Sequence, residues 1–394
     1  MQHHKTIYVD VRKSFSFTES GKYNGGNNYT RRLVQELLKR ENSGEELQVK
    51  LICCEKSRDV ISSLFLTKIG NIISLNGIHE LKINAEDIYF CPHINDSLKY
   101  AKELETFRRN NPQTRICLTI HDRRHKEMGY DKYDGVLKEG VKANPILLAL
   151  GRNIHSLEIE LALKRIVACA DSIFTVSNYS MQSLNRIRGV RDIKYYIQSV
   201  AFPDNDYSEH TVKMKYILFV SAGRPEKNFI RALKAFEMYV KEKNDRKLKM
   251  IATGINDCQA SAIVRHRIVD DSILHAQVEL KGYVTDEELD YLYRNCYFLL
   301  FPSHNEGFGL PVLEALMRGK PTVASNKSSI PEIAGSAAVY VNPKSVESIY
   351  MGIMQMIERY QKMCIYAEKR REIVVEMVKL DNTIMIDDLL LETK

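Results

Sequence analysis

Hydrophobic positions along the chain follow two alternating patterns. Short continuous apolar runs read as buried strands. They lie at Thr6–Val11, Leu47–Cys53, Asp87–Pro92, Thr114–Ile120, Ser172–Val176, Tyr216–Ser221, Lys249–Gly254, Val278–Val284, Tyr297–Phe301 and in a run ending at Asn342. Between them, apolar residues recur every three or four positions, the period of a helix with one buried face. Leu33, Val34, Leu37 and Leu38 share such a face, as do Ile230, Leu233, Phe236 and Val240. Further helices are expected over Lys99–Asn110, Asn153–Ala170, Met181–Arg188 capped by Ser180, and Asp286–Asn295 capped by Asp286. A last helical region carries Ile349, Ile353, Met356 and Ile357, with Met351, Met354, Met356 and Met363 expected in the core. Strands alternating with helices predict an α/β fold built on parallel sheets, whose ligands bind beyond the carboxyl ends of the strands.

The pattern loses its period at Ala201–His210, a stretch with Pro, Asp and Asn. A boundary there gives an N-terminal domain over 1–205, a C-terminal domain over 206–370 and a helical tail over 371–394 that packs back toward the N-terminal domain. Residues 123–152 are rich in charge and glycine and are broken by Pro145. They read as a mobile region where binding specificity resides, with Arg123, Arg124 and Lys126 placed for an anionic ligand or phospholipid surface.

Chemistry concentrates after the run Tyr297–Phe301. A polar loop carries Glu306, Gly307, Phe308, Gly309 and Leu310; Pro311 then opens a helix that stops at Gly319. A helix N-terminus has free N–H groups and a positive dipole end, which suit phosphate. The glycines let backbone approach a ligand. Glu306 in the loop and Glu314 in the helix can each accept hydrogen bonds from sugar hydroxyls. After Tyr216–Ser221, Arg224 and Lys227 put two cations in a strand-to-helix turn, where they can hold a diphosphate. Gly25 and Gly26 follow the first strand and precede a helix, without the spacing of a dinucleotide fingerprint.

Glu306 and Glu314 with Gly-Phe-Gly-Leu-Pro between them, the run Gly319-Lys-Pro-Thr-Val-Ala-Ser325 and Ile330-Pro-Glu332 resemble the family 4 (GT4-type) retaining glycosyltransferases. The resemblance covers most of the chain and is strongest from Tyr216 to Pro343. It implies a GT-B fold, two Rossmann-like domains facing across a cleft, with a nucleotide-sugar donor on the C-terminal domain. By the same resemblance, Glu306 contacts the transferred sugar and Glu314 the ribose. Arg224, Lys227 and the backbone at Gly307–Leu310 meet the diphosphate. Tyr283 borders the base, Gly25 and Gly26 stand near donor phosphates and acceptor, and His121 of Leu118-Thr-Ile-His-Asp122 reaches the sugar, with Asp122 orienting its ring. Two departures stand out. Glu226 precedes Lys227 where the family commonly has Arg, and Gln198-Ser-Val-Ala-Phe-Pro-Asp replaces an Asn-Gly-Val-Asp turn.

The implied activity is metal-independent transfer of a hexose, with retention, to a saccharide or lipid-linked saccharide. No cofactor and no nucleic-acid partner are expected. Two other classes stay open. A nucleotide-sugar epimerase needs an added acid/base set, which the sequence does not display. A non-catalytic nucleotide-sugar-binding subunit has no need of the intact Glu306, Glu314 and Lys227.

Composition refines the setting. No apolar run approaches membrane-span length, and no signal peptide is expected at the start. The eight cysteines form no C-x-x-C pair, which fits reduced thiols in the cytoplasm. Residues 1–205 carry 31 Lys and Arg against 24 Asp and Glu, whereas the remainder has 26 of each. The basic half is expected to face an anionic partner, such as the inner face of a membrane.

Overall fold

A strand that is apolar on both faces needs cover on both sides, which parallel α/β sheets provide. The strands here are of that kind: Ile88–Cys91, Tyr216–Phe219 and Phe298–Phe301 are buried at every position. The computed structural model describes residues 5–15, 25–65, 69–128, 131, 133, 145–187, 189–190, 192–196 and 216–391. The chain divides into two units, one of residues 1–125, 153–200 and 378–394, the other of 126–152 and 201–377.

The first unit holds β1 (Lys5–Asp10), β2 (Leu47–Cys53), β3 (Ile72–Ser74), β4 (Ile88–Cys91), β5 (Arg115–Thr119), β6 (Ser172–Thr175) and β7 (Ile193–Tyr195). They form one sheet in the order β3-β2-β1-β4-β5-β6-β7, with every pairing parallel. Tyr89, Phe107, Leu118 and Ile166 are among the residues of its core. The second unit holds β8 (Tyr216–Phe219), β9 (Lys249–Ala252), β10 (Val278–Leu280), β11 (Phe298–Phe301), β12 (Thr322–Ser325) and β13 (Ala338–Val341). Its sheet runs β10-β9-β8-β11-β12-β13, again all parallel. Phe219, Phe229, Phe236, Phe298 and Ile353 pack its core. In each sheet the first strand has the second on one side and the fourth on the other. That is the doubly wound order, and the crevice for ligand lies where it reverses.

Several expectations shift in detail. Ser177 caps the helix Asn178–Leu184, accepting from the Ser180 N–H, so Ser180 lies inside the helix. Thr285 caps Asp286–Asn295 in the same way, and Asp286 is the first helical residue. An extended backbone and a hydroxyl three residues before the receiving N–H define a cap, and it is Ser177 and Thr285 that meet that geometry. The helix expected from Asn153 begins at Pro145, the N1-type position proline favours. The tail boundary at 370/371 falls inside one helix, Tyr360–Leu390. Its final turns serve the first unit: Arg115 donates to the carbonyls of Asp388 and Leu389, and Lys5 to that of Leu390. Met351 is 59% exposed rather than core. Residues 126–152, placed with the N-terminal domain by sequence, belong to the second unit. All eight cysteines are free thiols. Among the described residues no helix is long and apolar enough to cross a membrane.

Candidate active site

At the reversal point of the second sheet, β8 and β11 lie side by side, and the loops leaving their carboxyl ends carry the site. The loop after β8 is tied to β9, with Ala222 N–H donating to Thr253 O at 2.7 Å and Gly223 N–H to Gly254 O at 3.0 Å. Gly223 is needed for that approach, since a Cβ there would lie 2.6 Å from Gly254 O. Pro225–Lys227 then makes a single 3-10 turn. Asn228 follows at φ +66°, a left-handed conformation Asn tolerates better than most residues. Its amide donates to Pro302 O at 2.9 Å and to Pro343 O at 2.7 Å, which stitches the turn to the ends of β11 and β13.

This turn delivers Lys227 into the interior. Its ammonium donates to Glu306 Oε1 at 2.7 Å and sits 4.9 Å from the centroid of the Phe301 ring. The two side chains are only 5% and 8% exposed. Burying one such charge alone costs several kcal/mol, so each residue requires the other. The loop after β11 is braced by serines. Ser303 Oγ lies 2.6 Å from Glu306 Oε1 and 2.8 Å from Glu226 O. Glu306 N–H donates to Ser328 Oγ at 3.0 Å, and Ser329 Oγ lies 3.0 and 2.7 Å from the carbonyls of Glu306 and Phe308. Gly307 and Phe308 are buried within this frame. Gly309 caps the short helix Leu310–Leu316 at φ +101°, which a side chain would strain.

Glu314 lies on that helix, where it accepts from the Tyr293 hydroxyl at 2.8 Å. Burial, then the Glu314 charge, pushes the Tyr293 phenol far above its ordinary range, so it stays a donor. Arg224 is 44% exposed, with Nε 3.7 Å from Glu226 Oε1. Glu226 thus draws Arg224 toward itself, a consequence of the acidic residue that departs from the family pattern. Tyr283 lies beyond β10, in a loop rather than a strand, and is 65% exposed.

In the first unit, Gly25 and Gly26 open the helix Gly25–Asn42. Gly26 is required by packing, because a Cβ there would lie 2.7 Å from the His93 ring. His93 follows β4 and His121 follows β5. Their rings meet edge to face at 5.3 Å between centroids, and Tyr29 packs on His121 at 4.9 Å. His121 Nε2 lies 3.1 Å from Pro92 O, so Nε2 carries the proton and Nδ1 is the acceptor. Burial pushes His121 down to about 4, only partly opposed by Asp122, so the ring is neutral at pH 7. Asp122 does not bond the imidazole as expected. Its carboxylate pairs with Arg124 at 2.9 Å and accepts the Arg124 N–H at 3.1 Å. Arg123 is not available to an anionic surface either. It is buried against Glu160 and donates to Ser183 O at 2.6 Å.

Sequence reasoning therefore named Lys227 and Glu306 but not their mutual contact. It passed over Ser303, Asn228, Tyr293 and His93. Only His93 had a visible signal, its place at a strand's carboxyl end; the others show themselves only through contacts across the fold. Among the described residues no group of three or more His, Cys, Asp or Glu could hold a metal ion.

Residues 204–373 match the family described as glycosyl transferases group 1. Over 143 residues the chain is 33% identical to O-antigen chain mannosyltransferase B of Escherichia coli, an alignment of 36% of this chain and 37% of that protein. The chain thus spans well under two thirds of the length of that relative. Among solved structures, a glycosyltransferase from Rickettsia africae superposes with a TM-score of 0.69 at 14% identity, over 99% of both chains. HepE of Anabaena, solved with UDP and glucose, gives 0.65 at 15% identity over 98% of this chain and 99% of that one. These two likenesses establish the GT-B fold. The segment that builds the Lys227–Glu306 site thus lies within residues 204–373, the part of the chain that matches the glycosyl transferases group 1 family.

Proposed function

We propose that the chain is a retaining, metal-independent glycosyltransferase that moves a sugar from a nucleotide-sugar donor to a hydroxyl of a saccharide acceptor in cell-surface polysaccharide or glycolipid assembly. The observation that carries this reading is the buried Lys227–Glu306 pair at the reversal point of the second sheet, beside a glycine-capped helix start. An ammonium has three N–H donors. With one on Glu306, the others face the charge of a diphosphate, and Arg224 and the N–H groups at Gly307–Leu310 add to the same field. As the glycosidic bond breaks, charge grows on the leaving phosphate and these donors stabilise it. Glu306 holds the sugar, and Glu314, fixed by Tyr293, holds the ribose. The acceptor hydroxyl attacks from the face the diphosphate leaves and gives its proton to the leaving phosphate oxygen. The O-antigen role of the E. coli relative and the UDP and glucose in the Anabaena structure support donor and acceptor classes of this kind. The acceptor is a saccharide or lipid-linked saccharide at the cytoplasmic face of a membrane, a reading supported by the basic excess of residues 1–205.

The test is product analysis with chelator present. Incubation with UDP-, GDP- or ADP-sugars and saccharide acceptors is expected to give a product whose anomeric proton shows the donor's configuration. An inverted product, or an isomerised nucleotide sugar formed without acceptor, contradicts the proposal.

A further inference from the structure

One short stretch of chain touches the neighbours of both members of the buried pair. Residues 126–133 follow the His121-Asp122 element in sequence, yet they belong to the second unit. Arg231, 5% exposed on the helix that starts just after Lys227 and Asn228, meets Asp131 through a fork. Nη1 donates to Oδ1 at 2.9 Å and Nη2 lies 2.8 Å from Oδ2. The guanidinium stacks on the Tyr133 ring at 4.7 Å, and Tyr133 packs on the unit's core. The same Nη1 lies 3.1 Å from Asn228 Oδ1 and 3.3 Å from His304 Nε2. Arg231 thereby joins Asp131 to the residue beside Lys227 and to the loop two residues before Glu306.

The second contact is on the other side of the pair. Asn305, 4% exposed and adjacent to Glu306, donates its side-chain N–H to Glu127 Oε2 at 2.8 Å. Its Oδ1 is buried and finds no hydrogen-bond partner among the described residues. An orphaned buried acceptor costs about 1–3 kcal/mol. The bond to Glu127 is what orients that amide.

We infer that Glu127 and Asp131 are positioning residues for sugar transfer, forming a two-point brace that fixes the Lys227–Glu306 pair through Asn305 and Arg231. Neither touches the reacting atoms. A bidentate ion pair shielded from water resists displacement better than a lone hydrogen bond, so the Asp131 arm sets where the β8 turn and His304 sit. The Glu127 arm sets the backbone at Asn305 and hence the direction of Glu306. The inference rests on the proposed transfer reaction, but the brace itself can be read without it.

The experiment compares Glu127→Ala, Glu127→Gln and Asp131→Ala by hydrogen exchange and by steady-state kinetics. Two amides report on the loop directly, since His304 N–H donates to Glu226 O and Glu306 N–H to Ser328 Oγ. Glu127→Ala is expected to speed exchange over residues 303–309 while β11 stays protected, and to lower kcat by up to about 100-fold with KM for the donor little changed. Glu127→Gln retains an acceptor oxygen for Asn305 and is expected to restore both readouts, which a purely electrostatic role does not allow. Asp131→Ala leaves a buried guanidinium uncompensated; if it fails to fold, the Glu127 pair alone decides. Unchanged exchange in Glu127→Ala, or faster exchange with unchanged kcat, overturns the inference. Faster exchange in a protein whose wild type transfers no sugar from any donor upholds the brace and refutes the transferase reading.

Discussion

At the scale of single residues, the site depends on two opposite charges that exclude water together. Lys227 and Glu306 are each nearly fully buried and separated by 2.7 Å. Removing one leaves the other uncompensated, so Lys227→Met or Glu306→Leu alone is expected to destabilise the fold by about 3–5 kcal/mol. The double variant replaces the pair by apolar groups and is expected to be more stable than either single variant, while lacking transfer. Thermal unfolding of the four proteins measures this coupling, and additive losses in melting temperature refute it. His121 gives a second residue-scale prediction. It titrates at about 4 in the folded chain, against about 6.5 when unfolded. Between those values the unfolded chain binds a proton that the folded chain does not. Its contribution to stability is therefore complete above the unfolded value and declines as pH falls toward the folded one. Melting temperature followed against pH is expected to drop more steeply in wild type than in His121→Asn within that window, with parallel curves above it. Parallel curves throughout contradict the assignment.

At the scale of elements, punctuation was legible where one residue type has one physical use. Pro311 just inside a helix marked the start of Leu310–Leu316, because proline lacks the N–H that is unsatisfied there in any case. Caps were less legible, since Ser177 and Ser180 are chemically alike and only backbone direction separates them. Gly26 shows how a correct residue can be chosen for an incomplete reason. Sequence offered it as a site of ligand approach, whereas the structure places the His93 ring where its Cβ would be. Gly26→Ala is expected to cost about 1–3 kcal/mol by overpacking, and much less in a His93→Ala background, where the ring is gone. Equal losses in both backgrounds, measured by chemical denaturation, dismiss that steric account.

At the scale of the whole molecule, alternating periods of two kinds were enough to indicate parallel α/β sheets, because strands buried on both faces leave continuous apolar runs. Strand order was not legible, since it depends on crossovers that carry no local signal. Nor was the membership of residues 126–133. Glu127 and Asp131 look like ordinary surface acids until Asn305 and Arg231 are seen opposite them. Charge distribution is a property of the same scale. If the basic half works at an anionic membrane, the chain is expected to sediment with vesicles containing anionic lipid at low salt and to be released as salt rises. Binding that ignores both lipid charge and salt excludes that setting.

The proposed function requires the second unit to grip a nucleotide diphosphate through Lys227 without a divalent ion. Thermal unfolding with UDP-, GDP- and ADP-sugars in the presence of chelator tests it most directly, because a ligand at 100 times its Kd adds about 2.7 kcal/mol to the folded state. At least one nucleotide sugar is expected to raise the melting temperature of the wild type and to leave that of Lys227→Met unmoved. No shift with any donor, or an equal shift in the variant, contradicts it.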